Sequence, residues 1–319
     1  MRLTPDLTPE YSDPHSYPAG VAWQDGQYIP VSQAKISVLD YGFLHSDATY
    51  DTVHVWDGAF FRLDAHIERF LAGVERLRMT LPVSVPEIRE ILHNCVSLSG
   101  YRRAYVEMVC TRGTARDFSR DPRAATNRFL AFAVPYGSVA DDAQMKRGLH
   151  VTITNTTRIP PSSVDPRVKN YHWLDLIGGL FDAYDRGGET ALLLDSDGNI
   201  AEGPGFNAFS VRDGALITPE HGVLRGITRR TVMEIGHEQG RTVREGTLTR
   251  DALRSSDEVF ITSTAGGVMP VTRIDGAPVN DGAVGPVTRA IMSTYWAWHK
   301  DKRFVEDVVY PSQETKAPS

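Results

Sequence analysis

The sequence predicts an α+β protein of two domains, and three observations predict it. Its 319 residues suffice for two domains or one large α/β unit. In the first half, short apolar runs joined by Asp-Gly pairs alternate with amphipathic stretches of helical period, whereas the second half is richer in strand-like runs. Between the halves, Pro135 to Arg147 is polar and charged and reads as a linking segment. The expected organisation is an arm over residues 1–20, an N-terminal α/β domain over 21–137, a connector over 138–147 and a larger, β-rich C-terminal domain over 148–319.

Each element has a local reason. The arm is rich in proline, aspartate and tyrosine and reads as extended. After Gly20, Val-Ala-Trp-Gln-Asp-Gly-Gln-Tyr-Ile is a hairpin turning at Asp25-Gly26. A second hairpin runs from Tyr50 to Trp56, turns at Asp57-Gly58 and returns through Leu63. An amphipathic helix follows, with Asp64 as its expected N-cap and Ile67, Phe70, Leu71 and Val74 facing inward. Pro86 opens another helix, through Ile88, Ile91, Leu92 and Cys95 to near Gly100. Strands at Ala104–Thr111 and Phe129–Val134 then flank a charged loop, Arg112–Arg128, long enough to suggest function.

Beyond the connector, strands are expected at Val151–Asn155, Ala191–Leu194, Ala208–Val211 and Glu258–Thr262. Helices are expected at Trp173–Tyr184, Thr228–Gln239 and Val287–Trp298. There is no internal repeat, and the last fifteen or so residues read as a polar, mobile tail.

Composition excludes several roles. A hydrophobic share of 41% with 23% charged residues is that of an ordinary soluble protein. The net charge of −6, with no basic stripe, argues against nucleic acid as a partner. The only cysteines, Cys95 and Cys110, offer neither a disulfide framework nor a structural zinc site. No apolar run is long enough to span a bilayer, and Met1-Arg2-Leu3-Thr4-Pro5 lacks the apolar core of a signal peptide, so a cytoplasmic enzyme is expected.

The chemistry narrows to one amine. There are six lysines against 28 arginines. Lys300, Lys302 and Lys316 fall in the polar C-terminal region and Lys146 in the connector, leaving Lys35 and Lys169 as buried candidates. Val168 precedes Lys169, and Tyr171, Trp173 and Leu174 follow, a setting that predicts burial. Burial lowers a lysine's pKa and leaves part of it as the neutral nucleophile that a Schiff base requires. Glu202 follows the turn Asp195–Asn199 and precedes Gly203-Pro204-Gly205, small residues that let a planar ring approach the backbone. A carboxylate there would favour a protonated pyridine nitrogen.

Two segments could hold a phosphate. Gly226-Ile227-Thr228 opens a helix, where free backbone NH groups and the Thr228 hydroxyl converge. Thr262-Ser263-Thr264-Ala265-Gly266-Gly267 is a strand ending in hydroxyls and glycines, and Arg69 could add positive charge. Pyridoxal phosphate chemistry needs the lysine and the carboxylate together.

The segments Lys169-Asn170-x-x-Trp173, Glu202-Gly203-x-Gly205-Phe206-Asn207, Arg225-Gly226-Ile227-Thr228-Arg229 and Thr264-Ala265-Gly266-Gly267 resemble fold-type IV pyridoxal-phosphate enzymes, the branched-chain and D-amino-acid aminotransferase class. The likeness covers about residues 20 to 300 in the family's order. Within that class, Gly42-Phe43-Leu44-His45-Ser46-Asp47-x-x-Tyr50, Phe61-Arg62-Leu63-Asp64-x-His66 and Tyr105-Val106-Glu107 are most similar to the (R)-selective amine transaminases. The resemblance implies a small N-terminal α/β domain and a larger C-terminal β-rich pseudo-barrel that binds pyridoxal 5'-phosphate. It implies Lys169 as the Schiff-base lysine and Glu202 as partner of the ring nitrogen. Arg69, Ile227, Thr228 and Thr264 would hold the phosphate, and His45, Tyr50, Tyr105, Glu107 and Trp173 would shape the substrate pocket.

Substrate expectations rest on the same likeness. Branched-chain relatives place an arginine near Glu107 to bind a carboxylate, so a glutamate there favours plain (R)-configured amines, arylalkyl or alkyl, with pyruvate or a similar keto acid as acceptor. Arg116 or Arg120 of the charged loop would then serve the keto acid. Thr52 and Leu174 are departures: amine transaminases commonly carry valine at the first, and branched-chain relatives a tyrosine at the second. The alternatives are a D-amino-acid or branched-chain aminotransferase, an aminodeoxychorismate lyase on the same scaffold, or a non-catalytic protein that kept the fold. A homodimer is expected, and the arm around Tyr11, Tyr17 and Trp23 is a candidate contributor.

Overall fold

The computed structural model describes Tyr17 and residues 19–311. Most of the expected arm, Tyr11 included, and the end of the tail lie outside these residues. The chain forms two compact units, one running to Gly137 and resuming at Lys302, the other spanning Ser138–Asp301.

The first unit begins with β1 (Val21–Gln24) and β2 (Gln27–Pro30), joined through Asp25 and Gly26 at φ 53° and 84°, the paired left-handed residues of a tight hairpin. A short helix α1 (Tyr41–His45) leads into β3 (Ala48–Trp56) and β4 (Ala59–Phe61). Helix α2 (Leu63–Arg76) is capped by Arg62 rather than by the expected Asp64. The left-handed Arg62 already gives its carbonyl to the His66 amide, which places Asp64 within the first turn. Helix α3 (Val85–Ser99) carries the reciprocal Ser84–Glu87 box at its start and Gly100 at its end.

Strands β5 (Ala104–Ala115) and β6 (Ala125–Pro135) are longer than the sequence suggests. Pairing of Thr114 with Thr126 and Ala115 with Ala125 absorbs much of the expected charged loop and leaves residues 116–124. The polar Thr-Arg-Gly-Thr stretch hid these strand ends because it lacks the apolar alternation of a strand and carries a register shift between Thr111 and Thr114. The seven-stranded sheet is completed at one edge by Val305–Asp307, in the order Val305–Asp307, β4, β3, β5, β6, β1, β2. Val53, Val55, Val106, Met108 and Cys110 share a core with Ile67 and Phe70 of α2 and Ile88 and Leu92 of α3. Strand alternation turns Tyr50, Thr52, Tyr105 and Glu107 to the opposite face.

The second unit contains α4 (Asp142–Arg147), β7 (Leu149–Thr157), α5 (Leu174–Asp185), β8 (Thr190–Leu194), β9 (Glu202–Gly203) and β10 (Phe206–Arg212). It continues with β11 (Ala215–Pro219), α6 (Ile227–Glu238), β12 (Val243–Gly246), α7 (Arg250–Arg254), β13 (Glu258–Ser263), β14 (Gly267–Ile274), β15 (Ala277–Pro278) and α8 (Pro286–Trp298). Its mixed sheet is ordered β12, β11, β10, β13, β14, β7, β8, with β9 pairing β10 and β15 pairing β14. The expected connector belongs to this unit: Asp141 and Gln144 cap α4 reciprocally, Ala140 is buried in the core, and the Val139 amide donates to the Ala265 carbonyl. Conversely, residues 302–311, expected in the C-terminal domain and its mobile tail, return to the first unit through pairing of Val305 with Phe61 and Asp307 with Ala59.

Candidate functional site

The second unit gathers Lys169, Trp173, Glu202, Ile227, Thr228 and Thr264. Lys169 lies in the loop between β7 and α5, half-buried behind the buried Val168, whereas Lys35 is exposed. Of the two candidate amines, Lys169 alone has the partial burial expected.

Glu202 is buried, 6% exposed, on the short strand β9. Its Oε1 accepts from Arg158 Nε at 3.1 Å and its Oε2 from the Leu224 amide at 2.9 Å. Burial raises the Glu202 pKa, opposed first by the Arg158 charge and also by that of Lys169. The Lys169 charge acts on Glu202, and Trp173, four residues along from Lys169, lies against the glycine turn that follows Glu202. Arg158 also donates to Asp175 Oδ2 at 2.5 Å, and both side chains are largely buried. Sequence reasoning missed Arg158 and Asp175. The only signal was an arginine beside Ile-Pro-Pro at a strand end, which does not by itself reveal a buried ion pair.

The turn after Glu202 is narrow. Gly205 has φ +80°, and the Trp173 ring comes within 3.5 Å of where its Cβ would sit. Trp173 therefore packs over the turn from the start of α5. Asn207 pairs directly with Glu202, and its Nδ2 donates to the Leu224 carbonyl at 2.9 Å. On its other side Asn207 pairs with Thr262, whose buried Oγ1 has no hydrogen-bond partner among the described residues. Glu202, Asn207 and Thr262 thus form one row across three strands.

The Leu224 clip leads straight to α6. Gly226 occupies the N-cap and provides no side-chain hydrogen bond to the helix start, where Ile227 and Thr228 are buried. A Cβ on Gly226 would meet Asn207 Oδ1 at 2.2 Å. Buried Arg229 points elsewhere, to Thr218, the Pro219 carbonyl and Glu245. At the β13–β14 turn, Ser263 Oγ donates to the Gly205 carbonyl at 2.8 Å, which ties the Thr264 segment to the glycine turn. A buried carboxylate, an amine, a tight turn, an unpartnered hydroxyl and an uncapped helix start fit the ring and phosphate of pyridoxal phosphate.

The other predicted side chains belong to the first unit. Arg69 is held by Asp51, with Nε to Oδ2 at 2.6 Å and Nη2 to Oδ1 at 2.8 Å. His66 Nδ1 lies 2.8 Å from Asp51 Oδ1. Burial would raise the Asp51 pKa, yet Arg69 and then His66 hold it well below the usual carboxylate range. On the other sheet face, Glu107 accepts from Thr52 Oγ1 at 3.2 Å and from Tyr105 OH at 3.4 Å. Burial, and then the Glu107 charge, push the Tyr105 phenol up, which keeps it protonated. Tyr50 is buried on the same face, while His45 is exposed with its ring edge-on to Tyr41 at 4.9 Å. Arg116 and Arg120 are exposed, and their loop is tied by the Tyr41 hydroxyl to the Ser119 carbonyl. Leu174 is 89% exposed, so its departure from the branched-chain pattern alters no packed wall of the described chain.

Comparison with known proteins identifies the family. Residues 48–274 match the family model for amino-transferase class IV. A putative branched-chain-amino-acid aminotransferase of Methanocaldococcus jannaschii is 31% identical over 274 residues, covering 85% of this chain and 93% of that protein. The Pseudomonas aeruginosa branched-chain-amino-acid aminotransferase is 30% identical over 283 residues, covering 87% and 92% respectively. The crystal structure of the T.th. branched-chain amino acid aminotransferase with pyridoxamine 5'-phosphate superposes with a TM-score of 0.85 at 29% identity, covering 91% of this chain and 99% of that one. The Escherichia coli structure gives 0.87 at 25% identity, covering 91% and 100%. With the family model spanning most of both units, the chain belongs to the class IV aminotransferases.

Proposed function

We propose that this aminotransferase uses pyridoxal phosphate to move amino groups between branched-chain amino acids and 2-oxo acids. The observation that carries the reading is geometric: Trp173, four residues after Lys169, packs on the Gly205 turn that directly follows the buried Glu202. Relatives of 30% and 31% identity bearing the branched-chain name support the substrate class. Bound pyridoxal phosphate supplies an electron sink for the substrate carbon. Lys169 is the anchor and the base that moves a proton to and from that carbon. Glu202 would hold a proton at the ring nitrogen, and the amides of Ile227 and Thr228, with Thr264, would hold the phosphate. Trp173 limits access of water and substrate over the glycine turn.

A second reading, transamination of (R)-configured primary amines, is favoured by one observation: Glu107, Thr52 and Tyr105 form an acidic polar cluster on the sheet face that carries Tyr50. A carboxylate there repels an α-carboxylate and tolerates a plain amine. Assays of L-leucine, L-isoleucine, L-valine, D-alanine and both enantiomers of 1-phenylethylamine, with pyruvate or 2-oxoglutarate as acceptor, decide between the two. Fastest turnover of the branched-chain donors supports the proposal; rapid turnover of (R)-1-phenylethylamine with none of L-leucine transfers it to the second reading.

We also propose a homodimer. Leu174, Ile177, Phe181 and Tyr184 lie along one stripe of α5 and are exposed by between 40% and 89%. An apolar stripe of this kind supports burial against a second copy. Light scattering that returns the monomer mass of 35.3 kDa would end that idea.

A further inference from the structure

Glu202 does not stand alone. Its Oε1 accepts from Arg158, and Arg158 in turn donates to Asp175. Asp175 is held from several sides: Oδ2 accepts from the Ile159 amide at 2.9 Å and Oδ1 from the Leu176 amide at 2.9 Å. It sits in the first turn of α5, where the helix dipole favours a negative charge. The side chains of Asp175, Arg158 and Glu202 are 9%, 14% and 8% exposed, so little solvent screens the row.

Charge counting gives the row a purpose. Arg158 alone beside Glu202 would neutralise it and leave little attraction for a further positive charge. With Asp175 on its other side, Arg158 is shared between two carboxylates. One negative charge remains, and a protonated ring nitrogen cancels it. The remaining charged group acting on Glu202 is Lys169, which contributes least among the causes identified.

We infer that Asp175 is a positioning residue: through Arg158 it fixes the orientation of Glu202 and leaves the row one net negative charge, which keeps a proton on the ring nitrogen of bound pyridoxal phosphate. The inference rests on the proposed placement of that nitrogen against Glu202. It goes beyond it by assigning the ring's protonation to a residue that touches neither Glu202 nor the cofactor.

The test uses full-length protein loaded with pyridoxamine phosphate labelled with 15N in the ring. The ring-nitrogen chemical shift is followed against pH for the wild type, Asp175→Asn, Asp175→Ser and Asp175→Glu. In wild type the nitrogen stays protonated through neutral pH. Both neutral variants move the midpoint down by about one pH unit, the scale of an opposite charge removed from a buried site, and Asp175→Glu restores it. Thermal melting of the apo forms reports the helix-capping loss separately, and Asp175→Ser keeps the test alive should Asp175→Asn fold poorly. A wild-type nitrogen that is unprotonated overturns the Glu202 placement and this inference with it. A protonated wild type matched by both neutral variants overturns the role of Asp175 alone.

Discussion

Glu202 and Asn207 face each other across β9 and β10 and between them hold both backbone polar groups of Leu224, the amide on the carboxylate and the carbonyl on the carboxamide. The residue proposed for the ring nitrogen and the loop that opens α6 are therefore mechanically one piece. Two residues after Leu224, Gly226 caps the helix whose first amides are assigned to the phosphate.

Gly226→Ala should separate these parts. The added methyl would press on Asn207 Oδ1 and push the carboxamide off Leu224. Affinity for pyridoxal phosphate should fall by about tenfold, for about 1.4 kcal/mol lost at a displaced hydrogen-bonded loop, measured by equilibrium dialysis. Unchanged affinity would show that the loop is not held in this way.

Lys169→Ala should abolish transamination while pyridoxamine phosphate still binds, because the phosphate and ring contacts assigned here do not involve the lysine. Loss of catalysis should be several orders of magnitude, since the proposed role makes the residue both nucleophile and base. Single-turnover absorbance with a leucine donor checks it, and a variant retaining normal turnover would remove Lys169 from its role.

Glu202→Gln preserves the shape but presents a neutral acceptor to Arg158. The arginine is then left with Asp175, and protonation of the ring loses its counter-charge. Turnover should drop by about 10²-fold, as for removal of one preorganised electrostatic contact, with a smaller change in KM.

Asp51 anchors the first unit against acid. Its carboxyl is depressed in the fold relative to the unfolded chain, first against the cost of burial and then by Arg69 and His66. A depressed carboxylate contributes stability that is complete above the unfolded value and fades as pH falls through the folded one. Asp51→Asn should cost about 3–5 kcal/mol at neutral pH, the scale of a broken buried pair, and less in strong acid. Urea melts from pH 7 down into strong acid, below the ordinary carboxylate range, measure it; an equal loss at every pH would contradict the ion-pair account.

Burial raises both thiols, Cys95 and Cys110, to about 12. Neither should react with a thiol reagent at pH 8 until the protein unfolds. Mass spectrometry after iodoacetamide treatment, with and without urea, reads the difference.

The legible parts of the chain were those with local causes. Asp25-Gly26, the Ser84–Glu87 box and the alternating apolar run of β3 each declare their conformation within a few residues. Lys169, Glu202 and Gly226 were legible as chemistry because few other residue types do their work. The strands β11 and β14 were missed although each pairs with the strand just before it, whereas β12 pairs in parallel with β11 across the whole of α6 and so has its partner distant in sequence. Arg158 and Asp175 escaped for the same reason: 17 positions separate them, and only the fold brings them together. The cap of α2 depends on a long-range contact, the Arg62 amide on the Phe304 carbonyl, whereas the ends of β5 and β6 pair locally but through polar residues that do not declare a strand.

The strand Val305–Asp307 has one more consequence. Its sheet neighbour β4 is translated some 240 residues earlier, so a ribosome releases that edge and then the entire second unit before the strand that covers it emerges. Throughout that interval Phe60 and Phe61 lie on an open sheet border, the kind that recruits other chains. Nascent polypeptides stalled before residue 305 should therefore depend on chaperones far more than the finished molecule does.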